Sequence, residues 1–234
     1  MAAGLLCCAL LTLVLLAELL TRVTPAWWEG AEPGAGTKLR AETLENAVVT
    51  QLTLARELDP GFVPTRPGAW RSRPWSVGIS QRDLSAWLED RLPQWLANRE
   101  PGFAWPRELS RPRLACVDGA IRVGVLAGEG SPRLVWAELK PEVRADGALW
   151  LVAQRAWVGR LPIPASWVLA GGGGYLPKSA SGEAPMLGWL GALRGMGPLG
   201  SPGVIRLDSG RRVRLMSIRS REGKIEITAI SEHD

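Results

Sequence analysis

The chain has 234 residues, 46% hydrophobic and 22% charged, a balance that supports one large folded domain and excludes global disorder. Its net charge of +5 comes almost wholly from arginine, since lysine occurs only at 38, 140, 178 and 224; an excess of this size permits an acidic partner without specifying one. Cys7 and Cys8 lie in an N-terminal apolar run, so Cys116 has no bridging partner in the domain, and the single histidine, His233, provides no zinc-ligand set.

Gly4 to Leu20 reads GLLCCALLTLVLLAELL, with Glu18 as its one charge. At about 1.5 Å per residue this run lies at the short end of a bilayer crossing, and it also has the length of a signal-peptide core. The expectation is a transmembrane anchor or signal segment over 1–22, single-pass in the cell inner membrane. The domain then faces the periplasm or the outside, or is secreted after cleavage near Ala26. The Cys7 context lacks the small residues of a lipobox.

Residues 23–36 form a spacer, and 37–234 are expected to form a single extracytoplasmic domain. Thr37 to Leu58 reads as a helix, with Leu44, Val48, Leu52 and Ala55 on one stripe, stopped by Asp59-Pro60-Gly61. Residues 62–76 read as an ordered loop. Ser80 and Asp83 have capping-box spacing, ahead of a stripe of Leu84, Trp87, Leu88, Leu92, Trp95 and Leu96 that Pro93 should kink or end.

From 113 onward the apolar period changes to two. Strands are expected at 113–117 and 120–127 around Asp118-Gly119, and at 133–143 and 148–158 around Asp146-Gly147. Others fall at 204–207 and 212–219 around Asp208-Ser209-Gly210, and at 225–230 after Glu222-Gly223. The fold class is α+β: an N-terminal membrane helix, then two amphipathic helices packed on an antiparallel meander of about six or seven strands.

Between the strands, Pro162 and Pro164 read as ending the one that begins near Ala148. A glycine-rich apolar excursion follows at 171–203. With Trp167 ahead of it, Met186, Leu187, Trp189, Leu190, Leu193 and Met196 form a candidate flap. It either covers a groove between sheet and helices or folds down to plug the domain's own core.

The carboxylates Asp118, Asp146, Asp208 and Glu222 all sit beside turn glycines, where a short acidic side chain bonds its own backbone. There is no G-x-S-x-G elbow and no S-x-x-K. The literal G-x-G-x-x-G at 195–200 has no strand before it, and Pro198 lacks an N–H for a phosphate. No catalytic, metal or cofactor-binding residues are nominated, no cofactor is expected, and the chain reads as a non-enzyme. Arg206, Arg211, Arg212, Arg214, Arg219 and Arg221 form a candidate basic face, either for phospholipid head groups or another acidic partner, or as the solvated outside of a sheet.

Several short segments, taken in order, carry a resemblance. They are Pro25-Ala26-Trp27-Trp28, Ser80-Gln81 leading into Leu84, Ser85, Trp87 and Leu88, Pro112-Arg113 ahead of Asp118-Gly119 and Ile121, Gly159 with Leu161-Pro162-Ile163-Pro164, and Glu222-Gly223-Lys224-Ile225. Together they resemble an uncharacterised group of membrane-anchored bacterial exported proteins, distantly similar to the YpmS-like family. Ser85 departs from that group, which tends to carry asparagine there.

The resemblance implies a membrane tether and an extracytoplasmic α+β domain, without an activity. Two functions are expected. One is a membrane-tethered, non-catalytic domain binding lipid or another apolar ligand. The other is a structural or scaffolding protein of the cell envelope that binds a protein partner. Nucleic acid is not an expected partner.

Overall fold

The structure is a computed structural model describing residues 2–28, 36–99, 104–165, 191–199 and 203–233, with side chains from residue 10 onward except at residue 99. It opens with helix α1 (Ala2–Arg22). Leu10, Leu11, Leu13, Val14, Leu15, Leu16 and Leu19 are half or more exposed, and at 3.6 residues per turn they lie on every side of it. No helix among the described residues is long and apolar enough to cross a membrane. Helix α2 (Thr37–Thr53) leads to strands β1 (Trp70–Arg71) and β2 (Trp75–Ser80), then to α3 (Gln81–Asp90) and α4 (Leu92–Arg99).

Five strands follow in a meander: β3 (Leu109–Val117), β4 (Ala120–Ala127), β5 (Arg133–Val143), β6 (Leu149–Val158) and β7 (Leu161–Ile163). A second antiparallel sheet joins β8 (Val204–Arg206), β9 (Arg212–Arg221) and β10 (Lys224–His233), and β10 pairs on its far side with β2 and β1. The class is α+β, but the strands form two sheets rather than one meander. The reason is β10, which pairs with residues 75–80 far back in the chain, a contact that local periodicity does not encode. The expected loop over 62–76 includes β1 and the first two residues of β2, and 77–79 carried no expectation; the alternation of Trp75, Val77 and Ile79 is there but spans only three apolar residues.

The expected second helix is two helices. Arg91 separates them, and Pro93 falls in the first turn of α4, where a missing N–H breaks no intrahelical bond. Trp87 and Trp95 still meet edge to face across the junction, 6.3 Å between ring centroids. Helix α2 stops at Thr53, so Ala55 lies beyond it.

The first sheet carries a core on each face, because adjacent residues of a strand point oppositely. Cys116 and Ile121 pack with Ile225, Ile218 and Ile227 of the second sheet and with Leu84 of α3. On the other side, Leu134 and Trp136 pack with Trp27 and Trp28, which immediately follow α1.

Helix α3 also seals the open edge of β3. The Ser85 hydroxyl donates to Leu114 O (3.0 Å) and accepts from Leu114 N–H (3.2 Å), while Gln81 Oε1 accepts from Cys116 N–H (3.0 Å). An exposed edge would otherwise present these groups as a template for another strand. Ser85→Ala strips the edge of both contacts and is expected to cost about 1–3 kcal/mol. Thermal denaturation checks this; an unchanged midpoint would mean that water replaces the hydroxyl.

Candidate functional site: an apolar groove beside an arginine cleft

Helix α2 is pinned in its first half and at its C-terminal end. In the first half, Glu42 accepts from Arg91 and Glu45, at the midpoint, from Trp87 Nε1, each at 3.0 Å. At its far end the Arg211 guanidinium donates to Leu52 O and to Leu54 O. Just beyond, Arg56 lies 4.1 Å over the Trp75 ring. Burial, and then the charge of Arg211, lowers the Arg56 pKa from its ordinary value, although a guanidinium remains charged.

Between these pins α2 stands off the second sheet and leaves a cavity of about 550 Å³. Leu44, Val48 and Leu52 form one wall, facing Val77, Val213, Leu215 and Ile227. The apolar stripe read from the sequence is therefore real in its first three members, but it is not packed away: Val48 remains 37% exposed. A groove of this size, apolar with a few polar groups such as Thr43, Gln51 and Asp83 on its lining, has the character of a small-molecule site.

A second cavity of about 630 Å³ lies on the opposite face of the second sheet, lined by the β5–β6 turn and by Arg206, Arg212, Arg214 and Glu232. Val204 and Leu215 line both cavities. Gly147 lines one and Gly203 the other, and Gly203 N–H donates to Gly147 O at 2.7 Å. A Cβ on Gly203 would stand 2.8 Å from that oxygen, so the close approach requires glycine.

The six arginines of the candidate basic face do not act as one patch. Arg211 holds α2, while Arg212 and Arg214 reach Glu232 at 3.4 and 2.8 Å. Arg206 is exposed in the cleft. Arg219 and Arg221 lie further along β9, where Arg221 approaches Glu226 at 3.9 Å. The Lys224 hydrogen bond, more than these arginines, holds the Glu226 pKa below its ordinary value.

Trp167, Met186, Leu187, Trp189 and Leu190 of the candidate flap lie outside the described residues. Leu193 is half-buried and Met196 is 75% exposed; Leu199 N–H then returns the chain to Leu149 O at 2.7 Å. The start of the literal G-x-G-x-x-G is a helix terminus. Gly195 N–H bonds Ala192 O, Met196 N–H bonds Gly191 O, and Gly195 adopts φ +73°.

Glycines 119, 147, 210 and 223 all take positive φ beside their turn carboxylates, and Asp146 Oδ1 accepts from Ala148 N–H at 2.9 Å. Among the described residues no three of His, Cys, Asp and Glu cluster as metal ligands. Cys116 is buried, which pushes its thiol up to about 11.

One feature escaped the sequence reading. Strand β6 ends at a two-residue turn, Gly159-Arg160, and the two prolines lie on its far side, Pro162 within the edge strand β7 opposite Trp157. The prolines therefore do not end the strand. The turn instead receives the last turn of α1: Arg160 N–H donates to Leu20 O (2.8 Å), and Arg133 reaches Glu18 (2.7 Å) and Thr21. Gly159 makes room, since a Cβ there would lie 2.5 Å from both Leu20 O and Thr21 O. The glycine preceding Leu161-Pro162 was the available signal. No family model, curated protein or solved structure matches the chain.

Proposed function

We propose that this chain is a membrane-tethered, non-catalytic domain on the extracytoplasmic side of the inner membrane, and that it binds lipid in the groove between α2 and the second sheet. The observation that carries the reading is the unfilled apolar stripe of α2, facing Val77, Val213 and Ile227 across about 550 Å³. Burying apolar surface stabilises by roughly 25 cal/mol per Å², so a stripe left open is a standing affinity for an apolar occupant. The tether is supported by Gly4 to Leu20, which carries a single charge, and by leucines exposed around the described part of α1. The resemblance in the segments after α1 implies the same arrangement.

Native mass spectrometry of the full chain released from detergent tests this reading. Wild type is expected to retain lipid in a fixed ratio to protein. Ala47→Trp, which places a large side chain into the groove from α2, should retain none while keeping its melting temperature. Equal lipid on both proteins would assign it to α1 instead. An empty wild-type chain would favour the scaffolding role.

A further inference from the structure

The ladder sets Ile205 and Val213 on the groove face of the second sheet and Arg206, Arg212 and Arg214 on the opposite face, so the apolar groove and a positively charged cleft meet at the edge strand β8, where Val204 and Leu215 line both. Across the ladder Arg206 stands opposite Arg212, and Arg212 opposite Glu232. Like charges facing one another across strands repel unless something of opposite sign lies between them. Glu232 does part of this, but it is shared by Arg212 and Arg214. Arg144 joins from the β5–β6 turn, stacked 3.6 Å over Trp150, while the Asp146 carboxylate is engaged by its own turn. Among the described residues Arg206 and Arg144 have no carboxylate partner. The cleft thus carries an excess of guanidinium groups, whose planar forks suit phosphate oxygens.

We propose that the occupant of the groove is an anionic phospholipid, with acyl chain between α2 and the second sheet and phosphate head at Arg206, with Arg212 and Arg214 beside it. The proposal rests on the lipid-binding reading above and adds the charge of the head. Charge complementarity selects this occupant over a zwitterionic lipid, whose ammonium would be brought toward the same arginines. Val204 and Leu215 border both cavities at β8, an unpaired edge of three residues, so the head of an amphiphile seated in the groove passes round that edge to reach the arginine face.

Two photoactivatable phospholipids with identical diazirine-bearing chains, one phosphatidylglycerol and one phosphatidylcholine, separate the possibilities. Each is added at the same mole fraction to phosphatidylcholine vesicles carrying the full chain, and adducts are mapped by peptide mass spectrometry. Phosphatidylglycerol is expected to label 43–52 and 203–215 on the order of tenfold more than phosphatidylcholine, the gain of one charge-assisted contact.

Arg206→Gln, at an exposed position, should remove that preference without altering the melting temperature, and Arg206→Lys should retain part of it. Equal groove labelling by both probes overturns the head-group assignment and leaves the lipid groove standing. Labelling confined to α1 overturns both, and points to the chain's own 166–190 segment or a protein as the occupant.

Discussion

Trp136→Ala is expected to destabilise the protein by about 3–5 kcal/mol, the cost of removing a buried aromatic from a packed site. Trp136 stacks on Trp157 with centroids 3.8 Å apart and meets Trp27 edge to face at 5.6 Å. Its indole N–H donates to Gly159 O at 2.7 Å, so the substitution also strips an acceptor at the turn that receives α1. Gly124, directly across the ladder, brings its backbone against the same cluster; a Cβ there would lie 3.0 Å from Trp136 Cβ and 3.1 Å from Trp27 Cη2. Gly124 has no side chain with which to fill the room left by alanine. For a chain of this length the loss corresponds to a fall in melting temperature of roughly 6–20 °C. Trp136→Phe keeps the stacking, loses the hydrogen bond, and should fall between. A Trp136→Ala protein melting within a degree or two of wild type would show that this outer core is dispensable.

The second large effect concerns the seat of α1. Gly159 has φ +59°, and both Leu20 O and Thr21 O occupy the space a methyl group would need. Gly159→Ala therefore combines left-handed strain of about 1–2 kcal/mol with a collision against backbone, which no rotamer relieves. The relief is for α1 to lift off, breaking the Arg160–Leu20 bond and the contacts of Arg133 with Glu18 and Thr21. Trypsin reads this directly. Cleavage after Arg22 in the full chain should accelerate by on the order of tenfold or more, tracking the opened population, while cleavage within the sheets changes little. Unchanged cleavage after Arg22 would mean that the contact at Gly159 does not hold the helix.

What the sequence discloses follows the range of its signals. The turn pairs Asp118-Gly119, Asp146-Gly147 and Glu222-Gly223 are local chemistry, and each joins the strands expected of it. The capping box is local too, and Ser80 Oγ accepts from Asp83 N–H at 3.2 Å. The α2 stripe was legible as periodicity, but periodicity does not say whether a stripe meets a packed partner or a gap. That depends on Arg211 holding the end of the helix and Arg91 its first half, contacts made across 159 and 49 residues of chain. The arginine list was legible as composition, yet its division is tertiary: Arg211, just before β9, turns to α2, while Arg206, Arg212 and Arg214 share one face of β8 and β9 with Glu232. The seat of α1 was hidden for a different reason. A single glycine in a turn looks the same whether or not another backbone lies against it.

Strand β10 also sets the order in which the molecule can be completed. It lies between β9, its hairpin neighbour, and β2, which was synthesised about 150 residues earlier, and its far end pairs with β1 and is fastened just beyond it by reciprocal bonds between Ser231 and Ser72. Until those ten residues have left the ribosome, Trp75 to Ser80 have no ladder to join, whereas the first sheet can close hairpin by hairpin as it emerges. Such long loop closure makes the final step the slow one, and it leaves an apolar strand unpaired throughout elongation. The nascent chain therefore carries an unpaired strand at Trp75 to Ser80 until β10 emerges, and a product truncated before Lys224 would keep that edge open.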